Sequence, residues 1–229
     1  MKNMTIKLFL LPIIFVIVSM ASYGQENEWA RHQVKLNPLR TFNWFSPGLE
    51  ANYEIGYGRF ATQLSGAYFI DIINIVPRAS DLGGYRVNLE QKCYLKTFSN
   101  RMRNYMSVEV SYNHINMVVN SEFIPHDYLD ESWEEQEANV YWGDFEVNRN
   151  FVIGNVKYGM LFSATSRLVI DVSFGIGLIH QNVNYPNKRH PNDKHTRTVS
   201  EDIITPFFYK EGKYFVFNIP TSVKIGVAF

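Results

Sequence analysis

The side chain best suited by type to act as a base in this sequence is His180. A hydrolase built on it would need a serine or threonine nucleophile within hydrogen-bond reach and a carboxylate to orient the ring. Its neighbours Gln181 and Asn182 supply neither. His114, followed by Ile115 and Asn116, has a similar setting. His190 and His195 flank Asp193 in a polar stretch, and no helix holds the two imidazoles on one face as a metal site would require. The single cysteine, Cys93, excludes an internal disulfide and a cysteine-rich zinc site. It falls among apolar alternates, where nothing electropositive would activate a thiol. No metal, no cofactor and no enzymatic activity are expected on these grounds.

Charged residues make a more coherent set. Glu50, Glu54, Glu90, Glu109 and Asp171 stand against Lys35, Arg86, Lys92, Lys157 and Lys224, five acids and five bases. The elements that must position them are β-strands, because these residues occupy alternate positions opposite apolar neighbours. Leu49, Ala51, Tyr53 and Ile55 alternate with Glu50, Asn52 and Glu54; Met106, Val108, Val110 and Tyr112 alternate with Ser107, Glu109, Ser111 and Asn113. Successive strand side chains point to opposite faces, so each strand has one apolar and one charged or polar face. The pattern predicts eight strands, near 32–42, 48–57, 59–72, 84–96, 104–119, 145–163, 167–183 and 214–229. Short turns (56–59, 96–103, 163–166) alternate with longer links (43–47, 73–83, 120–144, 184–213). That order fits an up-and-down antiparallel barrel with one quiet rim and one elaborated rim.

Composition agrees. The chain has 229 residues, 22 Lys+Arg against 22 Asp+Glu, 46% hydrophobic and 15% aromatic residues. It is too apolar and too aromatic to be disordered, and no net positive field exists to attract nucleic acid. Residues 1–24 read as a secretory signal peptide: Lys2 and Lys7, an apolar run from Leu8 to Met20, and small residues at Ser22 and Gly24. Residues 25–229 then form one β-barrel domain without an apolar run long enough for a transmembrane helix.

Two structures accommodate the alternation. In a soluble barrel the apolar face points inward, around an apolar ligand. In a membrane barrel it points outward to lipid, and the charged face lines the lumen. The signal peptide, the strand lengths and aromatics near strand ends (Tyr57, Tyr68, Tyr85, Tyr105, Tyr158, Phe217) favour the membrane. An eight-stranded barrel is only wide enough for side chains to fill, so the five acids and five bases are expected to plug it as an ion-pair network.

Together with the signal peptide, three segments carry a resemblance: the opening strand Val34 to Pro38, the hairpin Gly48 to Gly58, and the closing run Pro220 to Phe229. With them the chain resembles a small bacterial outer-membrane β-barrel of the OmpA/OmpX-like superfamily, of the kind common in Bacteroidetes. The resemblance covers the whole mature chain. It implies a Gram-negative outer membrane, lipid as the surrounding partner, and recognition by the outer-membrane assembly machinery through Val223, Ile225, Val227 and Phe229. Some small outer-membrane barrels deacylate or acylate lipid A, but the His-x-Ser arrangement of the deacylases is absent here, because Asn182 stands in the serine's place.

The link 120–144 is acidic and aromatic, with Asp127, Asp130, Glu131, Trp133, Glu134, Glu135 and Glu137, and the stretch from Glu131 to Tyr141 has helical character. The link 184–213 carries Lys188, Arg189, Lys194 and Arg197. Opposite charge is expected to tie the two together across the outer rim, or the acidic link to bind divalent cations or a basic extracellular partner, and its aromatics among the charges favour a contact surface. The expected role is structural or surface interaction. A lipid-modifying enzyme, a narrow channel and a soluble ligand-binding barrel are the alternatives.

Overall fold

The computed structural model describes residues 32–42, 47–70, 79–95, 101–165, 167–195 and 211–229, with only the backbone at 41, 42, 79, 133 and 195. The expected signal peptide, 1–24, lies outside the described residues, as does Arg197. Among the described residues ten strands form: β1 (His32–Leu36), β2 (Gly48–Tyr57), β3 (Phe60–Ile70), β4 (Ala79–Tyr94), β5 (Met102–Ile124), β6 (Tyr141–Ser163), β7 (Leu168–Asn184), β8 (Lys194–His195), β9 (Gly212–Asn218) and β10 (Thr221–Ala228). Among the described residues no helix is long and apolar enough to cross a membrane.

The chain is an all-β, eight-stranded, closed antiparallel barrel. Each strand from β1 to β7 pairs with the next, and β10 closes the circle by pairing with both β7 and β1. Strands β9 and β10 are two halves of one wall strand, since both pair β7 in a single register. The short β8 is extra and pairs the end of β5. The β2–β3 hairpin turns at Gly58–Arg59, where Gly58 has φ of 62°, a conformation glycine adopts without a Cβ clash.

Several strand ends differ from the sequence reading, each for a local reason. The first strand stops at Leu36 rather than residue 42, because Pro38 offers no N–H for the ladder; a 3-10 turn, Pro38–Phe42, follows. The last strand is broken at Ile219–Pro220 for the same reason. Strands β5 and β6 run past the expected 119 and 145, pairing as far as Phe123 opposite Tyr141. Much of the expected loop 120–144 is therefore sheet, tipped by a one-and-a-half-turn helix, α1 (Trp133–Ala138). Its N-cap is Ser132, whose hydroxyl accepts from the Glu135 amide, with the glutamate three residues on as in a capping box.

Sidedness is inverted over most of the barrel and normal at one end. On β7, Leu168, Phe174, Ile176 and Leu178 are exposed on the outside, while Asp171 and Ser173 are buried inside. On β5, Met106, Val108, Val110 and Tyr112 face out, and Ser107, Glu109, Ser111 and Asn113 face in. Beyond His114 the polarity reverses. Ile115, Met117, Val119 and Phe123 point inward and join Phe145, Val147, Phe151, Ile153 and Val183 in an apolar cluster. Asn116, Asn120, Asp144, Glu146 and Asn184 are then on or near the outside. The switch level is ringed by Tyr68, Tyr85 and His114, direct neighbours on three adjacent strands.

Candidate functional site

The interior is built in layers. Nearest the short-turn end, four strands each supply one charge. Lys35 of β1 lies 2.7 Å from Glu54 of β2 and 2.8 Å from Asp171 of β7, and Lys92 of β4 lies 2.8 Å and 2.5 Å from the same two carboxylates. All four are buried. Tyr94 donates to Glu54 at 2.7 Å and Tyr105 to Asp171 at 2.5 Å, which occupies the remaining oxygens. The Tyr105 ring fits because residue 159 is glycine; a Cβ there would run into the ring.

The second layer is centred on Glu90 and Glu109. Glu90 takes Lys157 at 2.9 Å and Lys224 at 3.1 Å, together with Ser107 and Gln63. Glu109 takes Lys157 at 2.6 Å, Arg86 at 3.1 Å, and the Asn88 and Asn155 amides. Of the ten charges singled out in the sequence, nine meet in these two clusters. The tenth, Glu50, is buried but lies outside both, and accepts from Asn37 at 3.2 Å.

Above the second layer the interior opens into a cavity of about 550 Å³. Two guanidinium groups that the five-against-five balance omits reach it, Arg40 and Arg149. Arg149 shares the parity of Lys157 and was legible in the sequence. Arg40 was not. On a continued first strand its parity would send it outward, opposite to Lys35, and the 3-10 turn after Pro38, with about three residues per turn, brings it in. Phe151, Ile153, Ile179 and Val216 supply an apolar wall.

At the outer rim, Asp193 is the organising residue, although its stretch of the chain is polar. It is 3% exposed. It accepts from the Tyr141 hydroxyl at 2.6 Å and from the backbone amides of His126 and His190 at 2.8 and 3.0 Å. Burial alone would push its carboxyl up; these donors outweigh that and hold it below the usual aspartate range. Burial, and then donation to Asp193, pushes the Tyr141 hydroxyl up to about 12. Arg189 stacks 4.3 Å from the Tyr141 ring centroid, and Lys188 pairs with Glu211 at 2.8 Å.

The two outer links do meet, but not through the acidic row. Asp127, Asp130, Glu131, Glu134, Glu135 and Glu137 are exposed, and none has an ion pair among the described residues. Glu131 shares a hydrogen bond with Glu135, which raises its carboxyl. The Trp133 side chain lies outside the described residues, as does that of His195.

His180 sits exposed on the outside of β7, its ring 4.7 Å from that of Phe215. Its cross-strand neighbours are Val152 and Phe215, with no hydroxyl or carboxylate paired to it among the described residues. Cys93 lies on the same outer parity, opposite Phe60 and Met106. Among the described residues no three His, Cys, Asp or Glu side chains converge as a metal site. Val223, Ile225, Val227 and Phe229 share the outer face of the closing strand, and Phe229 stacks on His32 at 6.0 Å. Comparison with protein-family models, curated proteins and solved structures finds no match.

Proposed function

We propose that this chain is an outer-membrane β-barrel with a plugged lumen. In this reading it serves as a structural or surface-interaction protein that presents its acidic outer link to an extracellular partner. The observation that carries the reading is the inverted sidedness. Leu64, Val87, Val108, Val156, Ile176 and Phe217 are each 50% exposed or more, while buried charges fill the interior. A contiguous apolar surface of this extent needs a cover, and lipid covers it on all sides of a closed barrel.

The dimensions agree. The outward apolar run on β7 from Leu168 to Leu178 matches the roughly 9–11 residues of a tilted membrane crossing. Above it the switch at Tyr68, Tyr85 and His114 has the aromatic character of a membrane–water interface. His180 then belongs to that interface, which accounts for its place without catalysis. Beyond the switch, β5 and β6 behave as a soluble hairpin would, with apolar residues inward.

The resemblance to OmpA/OmpX-like barrels of Bacteroidetes is consistent with this proposal. So are the signal peptide, the assembly role of Val223, Ile225, Val227 and Phe229, and location in a Gram-negative outer membrane. The test is heat modifiability. The protein is expected in the outer-membrane fraction, and its unboiled form should migrate differently from the boiled one on an SDS gel. Recovery free in the periplasm without a shift would overturn the reading. Single-channel recording is expected to show no steady conductance, because ion pairs block the lumen; a stable conducting level would overturn the plug.

A further inference from the structure

The upper cavity combines three features that the plug does not use. The first is an unmatched cation. Among the described residues Arg40 projects into it without a carboxylate at ion-pair distance, and its buried Nε has no hydrogen-bond partner. It shares the cavity with Arg86, whose own Nε is buried and without a partner. Arg86 is paired with Glu109 at 3.1 Å, and Glu50 and Glu109 line the cavity too, but Arg40, Arg86, Arg149, Lys157 and Lys224 outnumber these two carboxylates, and a buried excess of positive charge is costly. The second feature is an apolar wall of Phe151, Ile153, Ile179 and Val216 facing the same space. The third is a way in. Phe217, Ile219 and Leu39 line the cavity, although they are 62%, 68% and 47% exposed. The cavity therefore reaches the outer face of the wall rather than only its end.

The opening has a covalent cause. Pro38 ends β1 and Pro220 interrupts the closing strand, so the ladder between them stops at Leu36 opposite Ile225. Beyond that point β9 pairs only with β7 among the described residues, and the 3-10 turn stands where a strand would continue.

We propose that this cavity binds a single-chain anionic amphiphile of the fatty-acid class. Its carboxylate meets Arg40 and Arg86, and its chain lies along Phe151, Ile153, Ile179 and Val216, reached through the seam between β1 and β9. The volume falls within the roughly 300–1,000 Å³ of small-molecule sites. A planar carboxylate matches the bidentate fork of a guanidinium. An anion without a chain would leave the apolar wall wet, and an uncharged chain would leave Arg40 unmatched. Access from the side rests on the membrane reading; the site itself does not.

The test is calorimetric titration of the refolded barrel in non-ionic micelles, corrected against empty micelles, with three ligands: dodecanoate, dodecan-1-ol and inorganic phosphate. Dodecanoate is expected to bind saturably at one per barrel, and the alcohol and phosphate at least about tenfold more weakly. Arg40→Gln is expected to weaken dodecanoate about tenfold, and Val216→Trp to abolish it, in variants that still show the gel shift of the folded barrel. Absent saturable binding, equal binding of the alcohol, or phosphate binding as well as dodecanoate would each overturn the proposal. The three-ligand comparison needs no variant, so misfolding of a variant leaves it decisive. Loss of the gel shift in the wild-type protein would strike at the membrane reading instead.

Discussion

Replacing Asp171 by asparagine is expected to destabilise the barrel by about 3–5 kcal/mol, the usual consequence of removing one partner from a buried ion pair. Asp171 Oδ2 sits 2.8 Å from Lys35 Nζ and 2.5 Å from Lys92 Nζ. At an effective dielectric of about 20, each contact carries about 6 kcal/mol of gross attraction. Relief from burying the carboxylate returns several kcal/mol, and Glu54 still offers one negative charge to the two ammonium groups. Asparagine keeps an oxygen for the Tyr105 hydroxyl, so the change isolates the charge. The assay is urea unfolding in phospholipid vesicles, followed by fluorescence. Combining Asp171→Asn with Lys92→Met restores neutrality, and the double variant should lose about 1–3 kcal/mol less than the sum of the singles. A single-variant loss below about 1 kcal/mol with an unchanged m-value would refute the reasoning. It would mean that water already screens the cluster and that the layer is not a plug.

Four further outcomes are expected. Val156→Arg, on the outer face, should cost about 2–4 kcal/mol in a bilayer, whereas on a water-exposed strand it would fall within about 0.5 kcal/mol; vesicle unfolding distinguishes the two. Gly159→Val should cost about 1–3 kcal/mol through overpacking against Tyr105, with loss of the gel shift at a lower temperature. Asp193→Asn should speed proteolytic cleavage between Asn184 and Lys194 without changing the unfolding midpoint of the barrel. In the wild type the same protection has a pH window. A carboxyl held below its ordinary value contributes fully above the unfolded aspartate range, about 3.9, and the contribution disappears as pH falls through the folded value. Tyr141 has the opposite sign: its contribution holds below about 10 and fades as pH rises through about 12. Cleavage should therefore accelerate at both extremes, and a flat profile would remove Asp193 and Tyr141 as the tie between the outer links.

Strand number and the identity of the ten interior charges were written in the local sequence, because side-chain parity repeats every two residues and needs no knowledge of distant partners. That parity brings Lys35, Glu54, Lys92 and Asp171 inside from four strands, although only three-dimensional register decides that these four meet one another and that Glu90 takes Lys157 and Lys224. The polarity switch beyond His114 was also present in the chain, as Ile115, Met117 and Val119 taking over the parity of Ser111 and Asn113. It escapes a reading that assigns one face per strand, since it is a change within a strand. What no local pattern carried is the behaviour around two prolines. Pro38 and Pro220 are far apart in sequence, and each reads as a simple strand end. Only closure of the barrel sets them on facing edges, leaves β1 and β9 unpaired with each other among the described residues, and turns Arg40 from the outward parity into the cavity. Burial of Asp193 is of the same kind: beside the local His190 amide, its donors are Tyr141 and the His126 amide, more than fifty residues away in the chain, and only folding brings them to the carboxylate.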